Sequence, residues 1–306
     1  MESPGTHDQL LSSRSLPSGP SLSLITPPAL QSLLAHEIAD WAVNAGFTAI
    51  DTEADLGQTT VDAFAGAGIA LGPMRIRASL ADSDQTSRHD ALEHACLAID
   101  RAAEHGIATV WTLPRNARND ASPRTNFAAA LESLEALATY AERQNIRIAI
   151  ENCPFEGQNA VCTPESWDAL FAAIPSPALG ICMDPSHCVW QGIDYLRATR
   201  EYRHRLYDVH AKDTELLPEG LFRYGVQGPL LEEVSTENGW PRHGWWRHRL
   251  PGLGAVDWSG FITTLADIGY SGAISIEHED PLWGGSPDRV QRGLAQAREH
   301  LARLIP

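Results

Sequence analysis

From Ser21 onward the chain alternates short apolar, β-branched runs with longer stretches whose apolar positions recur at helical spacing. The runs SLSLIT (21–26), FTAIDTEA (47–54), IALGPMRIRASL (69–80) and IATVWTLP (107–114) predict four strands. IRIAIENCP (146–154), ALGICMDPSH (178–187), RLYDVHAKD (205–213) and GAISIEHED (272–280) predict four more. Helical spacing covers 30–46, which ends on Gly46 as a C-cap, then 59–68, 86–105, 124–145, 167–174, 193–204, 258–270 and 288–304. Eight strands alternating with eight helices predict a parallel sheet, and eight such repeats in one chain favour closure into a (β/α)8 barrel.

One connection breaks the rhythm. Residues 214–256, after the seventh strand, are rich in Gly, Pro, Trp and Arg. A loop that long in a compact domain usually serves binding or catalysis, and one that follows a strand stands on the active-site face of a barrel. Residues 1–20 have neither a basic start nor an apolar core, and so read as a disordered tail instead of a signal peptide. The expected organisation is a tail over 1–20 and a barrel over 21–306 carrying an insertion at about 214–256.

Charge narrows the partners. Lys and Arg total 23 against 39 Asp and Glu, a formal charge of −16. Such a surface repels phosphate backbones and argues against nucleic acid as a partner. Five cysteines without a CxxC pair fit small buried residues in a reducing compartment, and no apolar run is long enough to span a bilayer. The expected location is the cytoplasm, with no membrane partner.

The chemistry gathers at the ends of the late strands. The fifth ends in Glu151, the sixth in Asp184, the seventh in His210 and the eighth in Glu277. Consecutive strand ends of a barrel converge on one mouth, where three carboxylates repel unless a cation sits between them. A set of three acids and one imidazole without thiolate suits one divalent ion, Mn²⁺ first, with Mg²⁺, Co²⁺ and Zn²⁺ also compatible. Trp111, Phe155, Trp283 and Trp245 or Trp246 are aromatics near the predicted mouth that would stack on the C–H faces of a sugar. Each taken alone is more readily a packing residue than a sugar contact. Lys212 and Asp213 follow His210 and would either orient it, touch substrate or serve as ordinary loop residues.

The strings IENCPFEG, MDPSH, VHAKD, PGLGAVDW and SIEHED resemble the xylose-isomerase-like barrel superfamily, whose members include sugar isomerases, ketose 3-epimerases, inosose dehydratases and an endonuclease branch. The resemblance runs from about residue 30 and is strongest from Glu151 to Asp280. It implies that Glu151, Asp184, His210 and Glu277 are the metal ligands, and that Glu151 and Glu277 are also the carboxylates that move a proton on opposite faces of the substrate. It implies that His187 contacts substrate oxygens and that PGLG (251–254) closes near the substrate, with Arg247 or Arg249 as the nearby arginine. The endonuclease branch needs further histidines at earlier strand ends, and RIRASL and VWTLP carry none.

The resulting expectation is a divalent-metal-dependent isomerase or epimerase of a keto sugar or polyol, working by proton transfer through an enediolate. Its rival in the same fold is a lyase or dehydratase that eliminates from a keto sugar or 3-keto-glycoside. A non-catalytic sugar-binding barrel and an abasic-site endonuclease are further alternatives. The expected partner is a small carbohydrate, and a homo-oligomer is compatible with the exposed loop.

Overall fold

The computed structural model describes residues 19–231 and 235–306. Residues 1–18, and with them nearly all of the expected N-terminal tail, lie outside the described residues.

Seven strands appear in turn: β1 (Ser21–Leu24), β2 (Ala49–Glu53), β3 (Ala70–Ile76), β4 (Thr109–Thr112), β5 (Arg147–Glu151), β6 (Leu179–Met183) and β7 (Leu206–Ala211). The insertion adds β8 (Asp213–Leu216), β9 (Thr236–Glu237), β10 (Trp240–Pro241) and β11 (Trp246–Arg249), and β12 (Ala273–Ile276) completes the set. Strands β1–β7 and β12 pair in parallel, in the closed order β1-β12-β7-β6-β5-β4-β3-β2. The expected (β/α)8 barrel is the observed fold.

Period-two alternation sends one set of side chains outward under the helices, where Leu24, Ile50, Met74, Val110, Ile148, Ile181, Val209 and Ile274 are buried. The alternate set fills the barrel and is unusually polar. Ser23 and Ser275 both donate to Oδ1 of Asp51, at 2.5 and 2.9 Å. Asp208 and Cys182 are buried across the same interior. Gly72 makes room for this layer, because a Cβ there would fall 2.6 Å from Ser23 Oγ and 2.7 Å from Asp51 Oδ1.

The surrounding helices are α1 (Ala35–Ala45), α2 (Gln58–Ala67), α3 (Gln85–Glu104), α4 (Pro123–Gln144) and α5 (Pro164–Ala173). They continue with α6 (Pro185–Gln191), α7 (Tyr195–Glu201), α8 (Pro218–Tyr224), α9 (Trp258–Asp267) and α10 (Pro287–Ala302). Their ends follow local chemistry: Asp84, Ser122, Asp257 and Ser286 accept from backbone N–H groups in the first turns of α3, α4, α9 and α10. No described helix is long and apolar enough to cross a membrane.

Two of the boundaries that differ from expectation have a clear local cause. The helix expected from residue 30 begins at Ala35, because Pro27 and Pro28 set up a 3-10 turn over Pro28–Leu30. Glu37 then accepts from the Leu34 N–H at 2.8 Å and fixes the later start. The run 178–187 is not one strand: β6 stops at Met183, and Asp184 caps α6 by accepting from Ser186 N at 2.8 Å. Pro185 at the first helical position completes that stop-and-start.

The insertion is mostly ordered backbone. Strands β8 and β11 form an antiparallel ribbon with Thr214 opposite His248 and Glu215 opposite Arg247, while β9 and β10 make a short hairpin. Alternation along β11 puts Trp246 and His248 on one face and Arg247 and Arg249 on the other. The first face meets the barrel mouth. Trp246 stacks between His243, at 3.9 Å, and Trp190 of α6, at 4.7 Å, and His248 packs edge-on against His187 at 5.3 Å.

Candidate metal centre and active site

The four expected strand-end residues are all buried at the barrel mouth. Glu151 Oε1 lies 3.3 Å from His210 Nδ1, and Glu277 Oε2 approaches the same nitrogen at 4.0 Å. Glu151, His210 and Glu277 each offer a ligand atom, all within 4.8 Å of one another. Asp184 belongs to a second such group, with Glu151 and His187. Glu151 is common to both, so the four expected ligands and His187 form one continuous cluster.

Lys212 occupies the gap between the two groups. Its Nζ lies 2.7 Å from Glu277 Oε2, 2.8 Å from Glu279 Oε2 and 3.4 Å from Asp184 Oδ2. Asn152 holds the backbone in place from the side: it accepts from Asp184 N at 2.7 Å and donates to Asp184 O at 3.0 Å.

The cluster is suited to a small cation. Asp184 Oδ2, His187 Nε2 and His210 Nδ1 are buried atoms without a hydrogen-bond partner. Buried polar atoms are normally satisfied, and three orphans converging with two further carboxylates meet the oxygen-and-nitrogen preference of a divalent ion. Below them, His210 Nε2 faces Asp208 Oδ2 at 3.7 Å, an arrangement that would orient a ligating imidazole. The residues able to hold a metal are therefore Glu151, Asp184, His187, His210 and Glu277.

The electrostatics of the site follow from burial and crowding. Burial opposes the charged form of His210, but Glu151, Asp208 and Glu277 outweigh it and raise its pKa to about 10. Burial likewise works against Lys212, and Glu277, Glu279 and Asp184 hold it well above the ordinary range. For Glu151 burial is overcome by His210, His187 and Lys212, which keep the carboxyl ionised. Burial raises Asp208 to about 8 against the pull of His210, and raises Asp51 to about 6.

The other expected site residues divide into two sets. Trp111 is inside the barrel, edge-on to His210 at 4.4 Å, and lines the cavity above the cluster. His187 stands 3.4 Å from Asp184 Oδ2 and 3.7 Å from Glu151 Oε1. Asp213 turns the opposite way from Lys212. Its carboxylate accepts from the N–H groups of Gly252, Gly254 and Val256 and from Trp258 Nε1, and so fastens the PGLG loop. Arg247 and Arg249 are both engaged by Glu215, and Arg249 also by Asp280. Trp283 packs on Gly293 of α10 and against the outer core.

Sequence reasoning missed Glu279 and His248, which meet at 3.3 Å beside Lys212. For Glu279 a signal existed, since it stands two residues past Glu277 in SIEHED and alternation carries it to the same side. His248 reaches the site only because the ribbon folds back, which no local pattern reveals. Its imidazole is held neutral by burial, Lys212 and His187.

Above the cluster a cavity of about 1520 Å³ opens between Trp111, Glu277 and the insertion's Trp240, and extends outward past Asp55 to Arg101 of α3.

A stretch of 136 residues is 32% identical to the uncharacterised protein YfiH of Bacillus subtilis, spanning 44% of this chain and 40% of that protein. The solved 3-keto-D-glucoside 4-epimerase YcjR of E. coli superposes with a TM-score of 0.68 at 14% identity, over 92% of this chain and 99% of that one. Mannonate dehydratase from Streptococcus suis superposes with a TM-score of 0.66 at 13% identity, over 92% and 93% of the two chains. At such identities these two structures share the fold with this chain, and their different reactions show how little the fold alone decides. Residues 39–304 match the family described as xylose isomerase-like TIM barrel, and the chain belongs to that family.

Proposed function

We propose that this protein is a divalent-metal-dependent isomerase or epimerase of a keto sugar or related polyol. The observation that carries the reading is the pairing of two buried carboxylates, Glu151 and Glu277, on one imidazole nitrogen at 3.3 and 4.0 Å, with Glu277 also lining an open cavity. Glu151, Asp184, His210 and Glu277 would hold the ion, with Mn²⁺ favoured and Mg²⁺, Co²⁺ and Zn²⁺ compatible with the same donors. The bound ion would supply Lewis acidity to a substrate carbonyl and its neighbouring hydroxyl.

The chain's own groups supply the proton chemistry. One of the two carboxylates takes the proton from the carbon next to the carbonyl, and the other returns one from the opposite face. His187 would touch substrate oxygens, and Trp111 would present its indole to the sugar. Trp246 and His248 cap the site and keep bulk water from the transferring proton.

A second reading is favoured by the reach of the cavity, which runs from Glu277 past Asp55 to Arg101 and would admit a glycoside. A 3-keto-glycoside deprotonated at the same carbon would expel its aglycone, making the protein a lyase.

The test is incubation with keto sugars and 3-keto-glycosides in D₂O after loading with Mn²⁺. The isomerase reading predicts deuterium at the carbon next to the carbonyl and a new stereoisomer or positional isomer, both reduced at least about 100-fold in Glu277→Gln. Release of aglycone or water selects the lyase reading. Absence of any exchange or release across the panel contradicts both.

A further inference from the structure

The mouth is acidic where β5–β7 and β12 end, and cationic across the cavity. β3 carries Arg75, and Arg77 stands just past its end; both line the cavity, while Arg115 follows β4 on the neighbouring loop. Arg77 is paired twice with Glu53, at 2.8 and 2.6 Å. Arg75 and Arg115 have no such partner: neither makes an ion pair or a side-chain hydrogen bond to any described residue. Their guanidinium groups lie instead on aromatic faces, Arg75 at 4.5 Å over Trp111 and Arg115 at 4.5 Å over Phe155.

Both are only partly exposed, in a chain with 39 acidic side chains against 23 basic ones. Carboxylate partners are abundant elsewhere, as Arg88, Arg118, Arg247 and Arg249 show. Two neighbouring cations without a carboxylate partner among the described residues repel: burial, then Arg75 and Arg77, hold the Arg115 guanidinium below its ordinary range. Stacking on a ring fixes the plane of a guanidinium while leaving its N–H edge open, which suits forked recognition of an oxyanion.

Position gives the pair its meaning. Trp111 carries the Arg75 guanidinium over its ring at 4.5 Å and meets His210 edge-on at 4.4 Å, so one indole joins the open guanidinium to the metal-ligand cluster. We infer that Arg75 and Arg115 form an anion subsite, and that the substrate is a keto sugar carrying a negatively charged oxyanion group, carboxylate or phosphate, at the end away from the reacting carbon. This deepens the proposed isomerase reading and rests on it for the placement of the reacting end.

The test is calorimetric titration of the Mn²⁺-loaded full chain with three probes: D-fructose, 5-keto-D-gluconate and D-fructose 6-phosphate. At least one anion is expected to bind about tenfold or more tighter than fructose, the gap that one charge-assisted contact supplies. In Arg75→Gln/Arg115→Gln the gap should close, with the melting temperature kept as the check on folding. The two anions tell carboxylate from phosphate. Equal binding of all three, no binding by any, or a preference unaltered in the double variant overturns the inference. Binding is read here without turnover, so failure of proton exchange would count against the isomerase reading and leave this result standing.

Discussion

Nζ of Lys212 lies 2.7 Å from Oε2 of Glu277, while the next residue, Asp213, sends its carboxylate to the far side of the strand. Strand alternation splits the sequence Lys212-Asp213 between two tasks. Lys212 neutralises the acidic mouth, and Asp213 fastens the loop that borders it.

Removing that ammonium leaves Asp184, Glu277 and Glu279 facing one another in a buried site. Lys212→Met is therefore expected to lose about 3–5 kcal/mol of stability in the metal-free state, as broken buried pairs do. Added Mn²⁺ should raise the melting temperature of the variant by more than that of the parent, because the ion then faces no competing ammonium. Urea unfolding with and without EDTA measures both effects, and equal stability of variant and parent would contradict the placement.

Asp213 anchors the loop through charge as well as shape. Asp213→Asn turns an amide toward N–H donors at 2.9–3.1 Å, and one of its two positions can no longer accept. A loss of at least about 2 kcal/mol follows from the unsatisfied donors. Gly254→Ala should act in the same direction, because its Cβ would fall 2.3 Å from Asp213 Oδ1. Thermal unfolding of the two variants checks both expectations.

Asp51 gives the barrel interior a pH dependence. Its carboxyl is raised from 3.8 to about 6, chiefly by burial, so the folded chain keeps a proton that the unfolded chain has released. The stability this provides is complete below about pH 4 and is lost as pH rises through about 6. Asp51→Asn still accepts from Ser23 and Ser275 but has nothing to ionise. Its stability relative to the parent should increase from pH 4 to pH 7 by at most about 3 kcal/mol, measured after EDTA treatment. Parallel pH curves for the two proteins would contradict it.

Much of this is legible in the sequence. Strands β5, β6, β7 and β12 announce themselves because each apolar run ends on an acid or a histidine, and closure of the barrel brings those ends together. Local patterns failed where a short element or a long return decides the outcome. PSHCVWQ is too brief for helical periodicity, so α6 was hidden inside an expected strand. His248 meets Glu279 only through the pairing of β11 with β8. Arg75 and Arg115 read as ordinary charges in sequence, and their lack of partners among the described residues is visible only in three dimensions. The engagement of Arg247 and Arg249 by Glu215 was equally hidden, since it depends on the register of the same ribbon.

The central claim is that Glu151, Asp184, His210 and Glu277 hold a divalent ion. Elemental analysis of the purified chain beside a Glu151→Gln/His210→Ala variant, each dialysed against Mn²⁺ and then against metal-free buffer, tests it most directly. The account predicts about one equivalent of divalent metal in the parent and little in the variant, as expected when two of the proposed ligands are lost. A parent that retains no metal, or a variant that retains as much as the parent, would contradict it.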